Sequence, residues 1–214
     1  MTDRRISSVR KGKDFARLEG TRLPRKTMLI VCEGITEEKY FKVLRANLGL
    51  SNADIFICDN DTNSAPINIV RKAESIYSAD SDYDFVYCVF DRDQHQSFTD
   101  ARERIKKLAS RSKKPLPISE AVSVPSFEFW VLLHYERTDR SFNGSQQIQD
   151  HLERSGYVEK YVKGDDAFTR RLVARIEDAL THSIWLEGRT HIVNDNPMTN
   201  IHKMVEEMRR LLEV

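Results

Sequence analysis

The stretch MLIVCEGITEE (Met28–Glu38) places three acidic residues directly after a short apolar run. Met28–Cys32 is apolar at consecutive positions, which is typical of a β-strand covered on both faces. Glu33 follows at its end, and Glu37 and Glu38 come shortly after it. An ionised carboxylate beside a buried strand costs free energy unless a helix N-terminus, a basic side chain or a metal ion pairs with it. The rest of the chain must therefore supply a partner for Glu33.

Three more segments before residue 126 are predicted to be strands. Ile55–Cys58 and Phe85–Phe90 are continuous apolar runs like the first, and Ile118–Val124 is a fourth candidate. The segments between them carry apolar residues at helical spacing, so strand and helix alternate. This order predicts an α/β fold, a parallel sheet of about four strands with right-handed crossovers and flanking helices. The predicted helices are 36–48, capped by Thr36 and ended by Gly49, 66–79, opened by Pro66, and 99–110.

The residues after 125 are predicted to be mainly helical, with helices at 126–135, 145–155, 166–182 and 199–212. We therefore divide the chain into three parts. These are a basic, flexible arm at residues 1–26, an α/β domain at residues 27–125, and a helical extension at residues 126–214 that packs on the same domain.

Composition is that of a cytoplasmic protein of ordinary domain size. The chain has 214 residues, of which 40% are hydrophobic and 31% charged, and its net charge is +1. It has no apolar run of the roughly 18 residues that suggest a membrane helix, and no apolar stretch follows the basic N-terminus as in a secretory signal. Cys32, Cys58 and Cys88 lie at or near the ends of apolar runs, which favours packing roles over disulfides or zinc binding.

Positive charge is concentrated at the N-terminus. Residues 1–26 contain nine Lys and Arg against three Asp and Glu. This segment is either a solvated tail or an arm that binds the phosphates of a nucleic acid. In the second case Arg22, Arg25 and Lys26 are candidate contacts, because they lie next to the first strand.

A second acidic motif follows the third predicted strand. Asp91 and Asp93, in the sequence FDRD, are two residues apart and so lie on one side of an extended chain. Ligands of open parallel sheets bind beyond the carboxyl ends of the strands, where Glu33 also lies. If the two strands are neighbours, these carboxylates converge, and like charges this close cannot all stay ionised unless they share a cation. Oxygen ligands of this kind select Mg²⁺ or Mn²⁺.

Each of these residues also has a structural explanation. Asp91 or Asp93 could cap the following helix, and Glu33 could face solvent. A lone Asp-x-Asp is common, and it also binds Mn²⁺ in enzymes of nucleotide-sugar transfer. The combination of Glu-Gly after one buried strand and Asp-x-Asp after another is more specific, and it favours a metal site.

These motifs resemble a known catalytic domain. Glu-Gly-x-Thr-Glu after the first strand and Asp-x-Asp after the third look like the Toprim domain of type IA and II topoisomerases, DnaG-type primases and OLD-type nucleases. Several ordered motifs together resemble the RloB family, Toprim-like proteins of restriction and phage-defence gene clusters that often lie beside an ATPase gene. The motifs are CEGITEEKYF, VFDRDQH, VPSFEFWVLLHYE, YVK at Tyr161–Lys163 and NPMT at Asn196–Thr199.

The resemblance implies roles for particular residues. Glu33 corresponds to the Toprim glutamate, a general acid–base or metal ligand, and Asp91 and Asp93 correspond to the metal-binding pair. Glu128, in VPSFEFW, matches a polar position of the RloB motif and is expected to bind a second metal ion. Its alternative role is to complement the dipole of the predicted helix.

Three further residues have weaker assignments. Lys163 either meets a transition-state phosphate or is solvated, and Arg92 is a candidate contact to nucleic acid between the two aspartates. Asn196 either belongs to the site or only begins a turn before Pro197.

These features predict a Mg²⁺- or Mn²⁺-dependent phosphodiesterase that acts on nucleic acid, an endonuclease of a prokaryotic defence system. Its substrate is DNA or RNA, with tRNA among the candidates, and an ATPase encoded nearby is the expected partner. The alternative is a non-catalytic interaction subunit of that ATPase complex.

Overall fold

A computed structural model describes residues 26–58, 65–92, 97–189 and 196–212. Most of the predicted N-terminal arm, including Arg22 and Arg25, lies outside these ranges, as does Asp93.

The apolar runs form strands at or near their predicted positions. Strands β1 (Met28–Cys32), β2 (Ala53–Ile57), β3 (Phe85–Asp91) and β4 (Ile118–Val124) pair in parallel, in the order β2-β1-β3-β4. A short fifth strand, β5 (Met198–Thr199), pairs antiparallel with β4. The predicted α/β class is confirmed, and β5 is an addition to it.

Helices flank the sheet on both faces. Because β1 alternates its side chains between two hydrophobic cores, all five of its residues are buried: Met28, Ile30 and Cys32 join one core, and Leu29 and Val31 join the other. The helices are α1 (Ile35–Asn47), α2 (Pro66–Ala79), α3 (Ser97–Ala109), α4 (Phe127–Leu132), α5 (Ser145–Arg154), α6 (Asp166–Val173), α7 (Ile176–Glu187) and α8 (Ile201–Arg210).

The predicted start of helix α1 is wrong, and its predicted end is correct. Gly34, not Thr36, is the N-cap, and no side chain caps the helix, so Thr36 already lies in the first turn. Gly49 follows the helix with a φ of 69°, a backbone conformation that glycine adopts without strain.

Predicted helix 126–135 is shorter than expected. It ends at Leu132 because the next amides, those of His134 and Tyr135, bond to carbonyls three residues back rather than four. All six residues of α4 are buried, so it has no solvent face.

Two other predicted helices were wrong in part. The segment 166–182 is divided at Arg175, whose amide bonds to the Leu172 carbonyl and whose guanidinium donates to the His134 carbonyl at 2.7 Å. The last helix begins at Ile201 instead of residue 199. Thr199 belongs to β5, where its hydroxyl lies 3.0 Å from that of Ser123 and accepts the Ile201 amide.

The three cysteines are free and buried, which confirms their predicted packing role. Burial raises the pKa of the Cys32 and Cys88 thiols, so both remain protonated and unreactive. None of the helices in the described ranges is long and apolar enough to cross a bilayer.

A buried histidine joins α1 to α4. His134 is fully buried, with Nδ1 2.9 Å from the Trp130 carbonyl and Nε2 2.8 Å from the Tyr40 hydroxyl. A carbonyl only accepts hydrogen bonds, so Nδ1 carries the proton and Nε2 accepts from Tyr40. Burial lowers the pKa of His134 to about 4, and the ring is therefore neutral in the folded protein.

This histidine should make folding sensitive to acid. Because its folded pKa lies below its unfolded pKa of 6.5, the unfolded chain takes up the proton first. The stability contributed by neutral His134 is present above pH 6.5 and is lost as pH falls to about 4, by up to about 3 kcal/mol. His134→Gln should be less stable than wild type at pH 8, and the difference should narrow across this window in urea unfolding. A constant difference between the two proteins would contradict the assignment.

Candidate functional site

The sheet order brings Glu33 and Asp91 together. The chain passes from β1 to β2 on one side and then to β3 on the other, so the strand order reverses between β1 and β3, the place where α/β folds bind ligands. Cys32 is level with Val89 in the sheet, which places Glu33 and Asp91 at the same edge. The Asp91 amide donates a hydrogen bond to Glu33 Oε2 at 3.1 Å.

Glu37 is a third carboxylate at this place, and the sequence prediction missed it. No role at the site was predicted for it, but it lies in the first turn of α1, is buried and lines the same cavity. A Cβ atom on Gly34 would lie 3.2 Å from Glu37 Oε2, so glycine permits the carboxylate to fold back over the start of the helix. The available signal was its position four residues after Glu33, within one helical turn of the strand end.

Glu128 enters from the neighbouring strand. It follows β4 in the first turn of α4 and is only 4% exposed. The Ser126 hydroxyl donates to Oε2 at 2.8 Å, and the Gln149 amide donates to Oε1 at 3.1 Å. These two donors hold the carboxylate in a fixed orientation, because each binds a different oxygen.

A loop between α5 and α6 brings a lysine to the carboxylates. Lys163 Nζ lies 3.8 Å from Glu128 Oε1. Gly164 next to it has a φ of 66°, and its carbonyl accepts a hydrogen bond from Lys39 of α1 at 2.7 Å. Lys39 also pairs with Asp166 at 3.0 Å, so helix α1 holds the chain directly after Lys163.

Tyr161, in the same loop, is held by contacts with α5 and α6. Its amide donates to Glu153 at 2.8 Å, and its ring packs edge-on against Phe168 at 5.8 Å. Burial, and then the negative charges of Glu128 and Glu37, raise the pKa of the phenol, so Tyr161 remains a hydrogen-bond donor toward the acidic cavity.

These groups surround a cavity of about 310 Å³ at the carboxyl edge of the sheet. The volume is enough for a phosphate group with its neighbouring atoms, at the lower end of the range for ligand sites. The lining residues are Glu33, Gly34, Ile35, Thr36, Glu37, Asp91, Pro125, Ser126, Phe127, Glu128, Ser145 and Lys163.

Burial and the charges of neighbouring carboxylates both disfavour ionisation in this cavity. Burial, followed by the charges of Glu37 and Glu33, raises the pKa of Asp91 well above its usual value. Burial likewise raises the pKa of Glu37 to about 7, with further contributions from Glu33 and Glu128 and an opposing one from Lys163. A cation in the cavity would relieve this repulsion, because it stabilises the ionised form of every carboxylate near it.

The donor set fits Mg²⁺ or Mn²⁺ in chemistry, since all four acidic groups supply hard oxygen ligands. Within the described ranges, no three Asp, Glu, His or Cys side chains are grouped tightly enough to hold a metal ion as they stand. Asp93, the remaining predicted ligand, lies outside those ranges.

Arg92 and Lys26, two predicted contacts to nucleic acid, lie at opposite edges of the sheet. Arg92 follows β3 directly, and its amide bonds to the Ser123 carbonyl at 3.1 Å, which places it at the cavity edge of the sheet. Lys26 precedes β1 and lies over the ring of Phe85, the first residue of β3, at 5.6 Å. It is therefore at the opposite edge, about 20 Å from Glu33 at the usual rise per strand residue.

Asn196 has a structural explanation in this arrangement. Its side-chain amide donates to the Phe142 carbonyl at 2.6 Å and accepts the Phe142 amide at 3.3 Å. Both ends of the side chain are thereby used to hold the segment that leads into α5, the helix that carries Gln149.

Comparison with known proteins gives one match. A family model described as RloB-like protein matches residues 28–208, from the start of β1 to the last turns of α8. Neither a curated protein nor a solved structure matches the chain.

Glu37 should reduce stability when it is ionised. Its folded pKa of about 7 lies above the unfolded value of 4.5, so the cost appears as pH rises through this window and is complete above pH 7. In metal-free protein at pH 8, Glu37→Gln should therefore raise the free energy of unfolding by up to about 3 kcal/mol, and this gain should vanish below pH 4.5.

The matched control is Glu38→Gln in the same helical turn. Glu38 pairs with Lys42 at 2.6 Å, so its replacement should lower stability by only about 0.5 kcal/mol. Urea unfolding in EDTA measures both variants. Equal effects at the two positions would show that Glu37 is not part of the repelling cluster.

Proposed function

Since the chain belongs to the RloB-like family, we propose that it is a Mg²⁺- or Mn²⁺-dependent phosphodiesterase that cleaves nucleic acid as an endonuclease of a prokaryotic defence system. The observation that carries the proposal is the convergence of Glu33, Glu37, Asp91 and Glu128 on one cavity at the switch point of the sheet. We also propose that the site is of the Toprim type, on the strength of the Glu-Gly and Asp-x-Asp motifs at adjacent strand ends.

The residues take roles that follow from their positions. Asp91 and Glu33, with Asp93 next along the chain, would hold a first metal ion, and Glu128 would serve a second. When bound, such ions supply a nucleophilic hydroxide at neutral pH and stabilise the charge on the leaving oxygen. Ser126 and Gln149 support Glu128 as outer-shell donors that fix the direction of its carboxylate.

Glu37 and Lys163 complete the site. A pKa of about 7 lets the Glu37 carboxylate accept a proton from water near neutral pH. Lys163 is the cation among the described lining residues, and its ammonium group lies 3.8 Å from Glu128 Oε1 and is largely exposed, so it can reach a phosphate that enters the cavity. Phosphate transfer needs such a positive group, because negative charge increases at the oxygens of the reacting phosphate.

A second candidate is a non-catalytic subunit that binds an ATPase encoded nearby. The observation that favours it is the absence of a tight ligand group within the described ranges. Incubation of the protein together with its neighbouring gene product on labelled tRNA, plasmid DNA and single strands distinguishes the two. Metal-dependent cleavage supports the enzyme, and an inert complex supports the subunit.

Asp91→Asn should abolish most of the activity. The change removes a charge at nearly constant shape, so the fold should survive while metal affinity falls. Cleavage should decrease about 100-fold or more, since metal stabilisation of the transition state contributes several kcal/mol. Mg²⁺ should raise the melting temperature of wild type by mass action and raise that of the variant much less. Asp93→Asn should behave in the same way.

Asp54→Asn is the control for charge removal. Asp54 is exposed on β2 and accepts a hydrogen bond from Tyr83, so this variant should keep both cleavage and the Mg²⁺-dependent shift. If Asp91→Asn and Asp93→Asn kept them as well, the assignment of the metal ligands would be wrong.

Lys163→Met should reduce cleavage about 100-fold with little change in melting temperature, because the lysine is largely exposed and acts on the phosphate. Lys160→Met, an exposed lysine three residues earlier, should leave the rate within about twofold. Single-turnover cleavage of a labelled substrate measures both. If neither variant lost activity, Lys163 would be a solvated lysine with no role in cleavage.

A further inference from the structure

The described residues cover only part of the outer edge of β4. β4 has seven residues, but β5 pairs with only the last two of them, Ser123 and Val124. The uncovered part lies at the start of the strand, at the end of the sheet opposite the carboxylate cavity. A row of unpaired backbone groups at a sheet edge is a template for pairing with another chain.

The pairing pattern identifies which groups are available. The Val86 amide bonds to the Pro117 carbonyl and the Arg92 amide to the Ser123 carbonyl, so odd-numbered residues of this strand face β3. Ile118, Glu120 and Val122 therefore direct their amides and carbonyls to the outer edge.

Asn200 extends the pairing of β5 with β4 by one residue. Its amide donates to the Val122 carbonyl at 3.1 Å, and its side-chain oxygen accepts the Val122 amide at 2.6 Å. Its side-chain nitrogen reaches the Glu120 carbonyl at 3.4 Å. The chain then turns into α8 and leaves the edge. Among the described residues no partner remains for the Glu120 amide or for either backbone group of Ile118.

A groove of about 340 Å³ runs along these groups, with α3 on one side and the start of α8 on the other. The α3 side is apolar, formed by Ile105, Ala109 and Ile118. Tyr87, Ser119 and Lys203 line the other side.

The charge in the groove is positive. Arg102 is bound to Glu120 through two hydrogen bonds of 2.9 and 2.8 Å, and Lys203 is paired with Glu187. Lys106 is exposed, and no described carboxylate lies within ion-pair distance of it. An acidic side chain next to the edge would therefore gain a partner, whereas a basic one would be repelled.

We propose that the outer edge of β4 binds an extended, acidic segment of a partner protein by addition of a β-strand. Backbone hydrogen bonds to Ile118 and Glu120 supply the pairing, and alternate side chains supply the specificity, as in other strand-addition complexes. Side chains of the segment that face α3 are apolar where they pack on Ile105 and Ala109 and acidic where they reach Lys106, and the alternate set carries carboxylates toward Lys203 of α8. Residues 1–25 of this chain do not suit the groove, because they carry eight Lys and Arg against three Asp and Glu.

The test uses the full-length protein and three fluorescent eight-residue peptides. The first alternates Val and Glu, the second alternates Val and Lys, and the third is the acidic peptide with alternate backbone nitrogens methylated. The affinity for the acidic peptide should exceed that for either control by about tenfold or more. One control reverses the charge, and the other removes backbone N–H groups that donate to the sheet edge. Hydrogen exchange should slow at the amides of Ile118 and Glu120.

Lys106→Glu should lower the affinity for the acidic peptide by about tenfold or more. Lys107→Glu, at the next position of α3, should change that affinity by less than about twofold. Equal binding of the methylated peptide would overturn the proposal, as would no binding of the acidic peptide up to about 1 mM. A single-stranded oligonucleotide that protects the same two amides would overturn it in favour of nucleic acid. The Mg²⁺-dependent melting shift should be the same in Lys106→Glu as in wild type, since the groove and the carboxylate cavity lie at opposite ends of the sheet.

Discussion

Electrostatic repulsion among buried carboxylates is the constraint that organises this protein. Parallel strands end at a common edge, so a sheet in which β1, β3 and β4 are neighbours must bring Glu33, Asp91 and Glu128 close together. Burial makes the repulsion worse, as the raised pKa of Asp91 shows. A fold selected only for stability would replace these groups with apolar residues. Their presence together in one cavity supports the proposal of a bound cation and an anionic substrate.

The surrounding structure serves to hold these charges in place. Gly34 leaves room for Glu37 to fold back, and Ser126 and Gln149 fix the oxygens of Glu128. Lys39 holds the turn that carries Lys163. The helices after β4 thus contribute directly to the site: α5 supplies a donor, and the connection between α5 and α6 supplies the cation. Positioning of this kind lowers the reorganisation needed when charge develops in a transition state.

The two ends of the sheet have different chemistry. The carboxyl end is acidic and enclosed, which suits a metal-assisted reaction. The other end, at the start of β4, exposes backbone groups beside Lys106 and suits a protein partner. This separation would let a partner bind without covering the cavity, and it allows the two proposals to be tested independently.

Local patterns in the sequence determined the alternation of strands and helices, the approximate strand positions and two of the four cavity carboxylates, Glu33 and Asp91, whereas Glu128 was expected from the family resemblance. These follow from hydrophobic periodicity and from the position of a residue at a strand end, both of which act over a few neighbouring residues. Glu37, the break at Arg175 and the strand β5 were decided only by tertiary contacts. No site role was predicted for Glu37, which the fold places near Asp91, and Thr199 was predicted to begin a helix but instead lies in β5 and contacts Ser123 of β4. Partners distant in sequence leave no local pattern, because the free energy that selects them exists only when the chain has folded.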